Sequence, residues 1–132
     1  MKEISLLAKS KETTGKLRWA AEVDAGGPVF SLYIPKDRVP EPWPGRIQVE
    51  VWASSDPSCP RDLGRVSNDD PIVEEVHWVK DHTETARYCP AGHSSDWLLG
   101  EPYIPFELLP EPAPERVVLR VRWDRSSPWV RS

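Results

Sequence analysis

The chain holds two cysteines and three histidines, and these are its best metal ligands: Cys59, His77, His82, Cys89 and His93. Cys89-Pro90-Ala91-Gly92-His93 places a thiol and an imidazole four residues apart on a turn, a spacing that can aim both at one zinc ion. No Cys-x-x-Cys pair supports it. If 72 to 79 and 83 to 89 are paired strands, His82 sits at their turn. It would then be about 20 Å from Cys89, at roughly 3.3 Å per residue. The set that survives is Cys59, Cys89 and His93, with His77 joining only if the hairpin loop puts it on the face of Cys89. Zinc is therefore the one cofactor to consider, against a plain reading of two thiols and three surface histidines.

Aromatic residues make the second constellation. Seven tryptophans exceed two Phe and three Tyr together. Trp52 alternates with Gln48 and Glu50 rather than with Ile47, Val49 and Val51, so it points away from the apolar face. Tyr33 has the same outward parity beside Phe30, Leu32 and Ile34. Trp43 and Trp129 lie in proline-flanked loops. Exposed together, Tyr33, Trp43, Trp52 and Trp129 would suit a peptide, a sugar ring or a second protomer. Trp19, Trp78 and Trp123 read as core. Arg120 and Arg122 share one face of a terminal strand and could set cations beside the rings, as single-strand nucleic-acid barrels do. The net charge of −4 and the absence of any RNA-binding signature argue against nucleic acid.

Catalytic signatures are missing. There is no Gly-x-Ser-x-Gly elbow, phosphate-binding glycine loop or His-Glu-x-x-His. Asp69-Asp70, with Asp56, reads as turn chemistry, and a Cys-His pair would need a spatial contact that sequence does not give. The expectation is a non-catalytic binding or assembly module, acting on itself as a homodimer or on a protein partner. A small zinc protein is the alternative and an enzyme the third choice.

The elements that must position these residues are strands. Leu17, Trp19, Ala21 and Val23 alternate with Lys16, Arg18 and Glu22, and Asp24-Ala25-Gly26-Gly27 supplies a turn. Residues 28 to 34, 46 to 53, 72 to 79, 83 to 89 and 116 to 123 continue the pattern, with 2 to 9 as an edge strand. Ser95 could cap one helical turn. Fifteen prolines exclude long helices and stiffen the loops, notably 36 to 45, with Pro40, Pro42 and Pro44, and 109 to 114. No internal repeat stands out. With 132 residues and 39% hydrophobic content, one domain spanning 1–132 is expected. It is an all-β antiparallel sandwich or partly open barrel of about six to eight short strands, with at most one short helix. No membrane-length apolar run and no signal-peptide pattern is present, so the expected setting is the cytoplasm, with both cysteines as thiols.

Overall fold

The computed structural model describes residues 2–61 and 65–129. Eight strands form one closed antiparallel barrel: β1 (Lys2–Glu12), β2 (Lys16–Glu22), β3 (Val29–Pro35), β4 (Pro44–Ala53), β5 (Ile72–Asp81), β6 (Thr85–Pro90), β7 (Tyr103–Pro105) and β8 (Arg116–Pro128). Around the barrel the order is β1-β2-β3-β7-β6-β5-β8-β4, and β4 pairs back onto β1. The expected all-β architecture is thus a closed barrel. The segment expected as an edge strand, β1, lies between β2 and β4, because closure leaves no edge. The only helical pieces among the described residues are single 3-10 turns at Lys36–Arg38, Ser94–Asp96 and Phe106–Leu108. The second follows His93 and has no side-chain cap, so Ser95 does not play that role.

Period-two alternation fills the interior. Ile47, Val49 and Val51 on β4 meet Val117, Leu119 and Val121 on β8, and Leu17, Trp19, Phe30 and Leu32 complete the opposite wall. Each such side chain fully removed from water contributes about 1.5–3 kcal/mol, which makes this filled lumen the main source of stability. Trp78 breaks the expected pattern. A bulge between Trp78 and Lys80 shifts the register at the end of β5, and the ring is 45% exposed, not core.

The chain is internally duplicated, contrary to the expectation of no repeat. Tyr33-Ile34-Pro35 recurs as Tyr103-Ile104-Pro105, Pro40-Glu41-Pro42 as Pro110-Glu111-Pro112, and Pro44 and Arg46 as Pro114 and Arg116, all at an offset of 70. Strand pairing repeats with it. Ile4 opposite Val49 in β1-β4 becomes Glu74 opposite Leu119 in β5-β8. The offset drops to 69 across β6, because the bulge in β1 between Leu7 and Lys11 holds one residue more than that in β5. Loop contacts are copied too. Lys36 N donates to Gly15 O at 2.9 Å, and Phe106 N to Glu84 O at 3.1 Å. Trp19 Nε1 donates to Pro44 O at 3.2 Å, and its equivalent Tyr88 Oη to Pro114 O at 2.7 Å. Glu41-Pro42 and Glu111-Pro112 are both cis.

Each half is a Greek key, with spatial orders 4-1-2-3 and 8-5-6-7. Neither half closes alone. They join along two seams, β4-β8 and β3-β7, where equivalent strands run antiparallel. In the β4-β8 seam Glu50 lies opposite Arg120, its own equivalent, so a pseudo-two-fold axis passes between them.

The aromatic ties to Pro44 and Pro114 hold each proline connection onto its half. Tyr88→Phe leaves the part-buried Pro114 carbonyl without this donor and is expected to cost about 1 kcal/mol. Tyr33→Phe, on a half-exposed ring, is expected to cost under about 0.5 kcal/mol. Urea unfolding of both variants checks the difference.

Candidate functional site

Four tryptophans stack at one pole of the barrel. Trp19 is fully buried in the lumen, and Trp123 packs against it at 6.4 Å between centroids. Trp129 meets Trp19 edge-on at 5.4 Å, and Trp43 meets Trp129 edge-on at 6.1 Å. Edge-to-face packing at these distances is favourable beyond the area it buries. The outer pair comes from two chain segments: Trp43 sits between Pro42 and Pro44, and Trp129 follows Pro128. Trp129 N donates to Trp43 O at 3.0 Å, fixing one backbone on the other. Between them lies a shallow cleft of about 290 Å³ lined by Glu41, Pro42, Trp43, Pro128 and Trp129. Lys36 places its ammonium over the Trp43 ring at 5.5 Å and pairs with Glu12 at 2.8 Å.

The inner end of the stack is clamped. Trp123 Nε1 donates to Asp70 O at 3.1 Å, and the Arg65 guanidinium lies over its ring at 6.0 Å. Arg65 Nη2 also donates to Arg38 O and Asn68 O, both at 2.8 Å. The halves differ within this stack. Trp43 stands where the second half has Ala113, and Trp123 where the first has Ala53.

Trp52, Arg120 and Arg122 form a second group, joined by Glu50. Arg120 reaches the Glu50 carboxylate through Nε at 2.7 Å and Nη2 at 2.8 Å, and Arg122 approaches at 3.5 Å. The hydrogen bond from Arg120 holds the Glu50 carboxyl below its ordinary range, burial opposes this, and the charges of Arg120 and Arg122 reinforce it. The Arg120 guanidinium lies 5.0 Å over the Trp52 ring. Trp52 does point away from the lumen, as its parity requires. It is only 4% exposed, however, because the β4-β5 connection folds over it and packs Cys59 there with Val118. The ring is therefore not part of an open aromatic surface.

Tyr33 belongs to neither group. It lines a separate cleft of about 260 Å³ with its equivalent Tyr103 and with Thr13, Lys16, Arg87 and Glu101. Arg87 and Glu101 form an ion pair there.

The cysteine and histidine residues are spread out. Cys59 donates its thiol to Pro60 O beneath the β4-β5 connection. Cys89 lies on β6 directly opposite His77, so those two share a face, and His93 stands exposed in the turn beyond. Among the described residues no three His, Cys, Asp or Glu side chains gather as a metal site. Burial pushes both thiols above their ordinary value. Since the thiolate is the reactive form, iodoacetamide at neutral pH is expected to modify both more slowly than a free thiol, Cys89 ahead of the more buried Cys59. Peptide mass mapping over time measures the order.

Glu74 is the residue that sequence reading missed. It takes the inward parity of Ile72 and Val76, at the position where the first half has Ile4. Burial pushes its carboxyl up to about 7, while a hydrogen bond from the Leu98 backbone and the charge of Arg38 pull the other way. The folded state then holds a proton that the unfolded chain releases near its ordinary value, about 4.3. Stability from this group is present at low pH, falls as pH rises through that window, and is level above about 7. Glu74→Gln removes the fall. Its urea midpoint is expected to match the parent near about pH 5 and exceed it near about pH 8.

No helix among the described residues is long and apolar enough to cross a membrane. No family model matches this chain, and no curated protein matches it in sequence.

Proposed function

We propose that the chain is a non-catalytic binding module of the cytoplasm that docks an extended, proline-containing peptide segment in the cleft between Trp43 and Trp129. The observation that carries this reading is the stack itself. Two half-buried rings from distant segments pack edge-to-face, Trp43 on Trp129 and Trp129 on the fully buried Trp19, with Trp43 replaced by alanine in the second half. Rings fixed in advance lose little freedom on binding, which is how rigid aromatic anchors give affinity. Pro42 and Pro128 stiffen the walls, and aromatic grooves of this kind accept the preformed polyproline conformation without further ordering. Glu41 on the rim supplies an acceptor for a basic residue beside the prolines.

The test uses the seven indole N–H signals of the 15N-labelled chain. Titration with a proline-rich peptide carrying one arginine is expected to move the Trp43 and Trp129 signals and leave Trp78 unchanged. Trp43→Ala is expected to weaken binding at least about tenfold, with unfolding midpoint nearly kept, since the second half has alanine at that position. Signals that move on dilution of the protein alone would point instead to self-association through the cleft. Binding that leaves the Trp43 and Trp129 signals unmoved would contradict the cleft as the site.

A further inference from the structure

We infer that the β4-β8 seam is a charge-coded interface: it accepts only a half carrying the opposite charge at its centre, from the same chain or from a second copy. The pseudo-two-fold axis makes this a matter of geometry. Along the seam each residue of β4 faces the equivalent of its own mirror position, and at the axis residue 50 faces residue 120, its own equivalent. Two first halves paired along this seam would set Glu50 against Glu50. Two second halves would set Arg120 against Arg120.

The apolar face of the seam does not discriminate. Its lumen-facing residues are interchangeable between halves: Ile47 with Val117, Val49 with Leu119, Val51 with Val121. All are apolar, close in size and buried, and would pack in a like-with-like seam nearly as well. Arg46 and Asp124 also pair across the seam, at 3.7 Å, but in a first-half seam Arg46 would face the neutral Ser54, so only the axial position would set like charges opposite each other. Glu50 is 5% exposed, so two carboxylates there would be largely cut off from water, whereas the Arg120 side chain is 27% exposed and two guanidinium groups would be relieved in part. In the chain as it stands the pair is complementary and bidentate, at 2.7 and 2.8 Å. Arg120 is braced by the Trp52 ring, and Arg122 adds a second cation 3.5 Å from Glu50. A single connection, residues 54–71, joins the halves, so exchange of whole halves between two copies would restore every seam contact.

Charge reversal separates this from a merely stabilising ion pair. Full-length E50R and R120E each place like charges on the axis. In an equimolar mixture, reciprocal exchange pairs the two altered halves in one barrel and the two unaltered halves in the other. Both axes then carry opposite charges. The two chains, one 15N-labelled, are unfolded in urea and refolded alone and together, then read by light scattering and native mass spectrometry. The expected result is a one-to-one heterodimer in the mixture, at least about tenfold above the dimer formed by either variant alone. The E50R/R120E chain is expected to refold with its axial pair restored in reversed order. A mixture with no more dimer than its components, while E50R/R120E folds, would overturn the inference. So would single variants as stable as the parent, or an E50R/R120E chain that does not fold, since then complementarity is not what the seam reads.

Discussion

The barrel depends on one constraint: a four-stranded Greek key has two open edges, and here each is closed by the matching edge of the other half. The β4-β8 seam meets that constraint over most of the length of both strands, from Arg46 opposite Asp124 to Ala53 opposite Val117. The β3-β7 seam is thin, with Ser31 opposite Tyr103 as its register pair. The wide seam therefore carries the closure, and its centre is the Glu50-Arg120 pair. A buried ion pair is costly unless its hydrogen bonds are well made. This one is bidentate, flanked by Arg122 and backed by Trp52, which offsets the loss of water around both charges.

Duplication also explains where chemistry can sit. Two equivalent halves give equivalent poles, and repeated features such as the proline connections and the Trp19 and Tyr88 ties serve the scaffold. Features present in one half only are free for other uses. Trp43, Trp123 and Glu74 are such features: the other half has alanine, alanine and isoleucine at the corresponding places. Trp43 and Trp123 belong to the tryptophan pole. Glu74 senses Leu98 and Arg38, and the Arg38 carbonyl accepts from Arg65, which covers Trp123.

The strands were legible because one face of each is turned to a filled lumen, and period-two alternation survives wherever the backbone is regular. Leu17 with Trp19, Ile47 with Val49, and Val117 with Leu119 are cases in point. Trp78 was misplaced because it stands in the last regular pair of β5 before the bulge, where the alternation ends and the residue is 45% exposed. The duplication is carried by Tyr-Ile-Pro and Pro-Glu-Pro spacing rather than by apolar alternation, so a search for strands passes over it. For the site, proline flanks marked Trp43 and Trp129, and the stack with Trp19 and Trp123 is a tertiary fact. Parity aimed Trp52 outward correctly, while the β4-β5 loop that buries it is long-range packing no local pattern contains. Glu74 could have been found, since it sits between Ile72 and Val76 on the inward parity.

The most direct measurement is the coupling energy between Glu50 and Arg120 in a double-mutant cycle, from urea unfolding of E50A, R120A and the double variant. A pair that centres the closure should show coupling above about 1.5 kcal/mol, with the double variant less damaged than the single losses added together. Additive losses, with coupling below about 0.5 kcal/mol, would mean that the halves are held by the backbone ladder and apolar packing and that the axial pair is incidental.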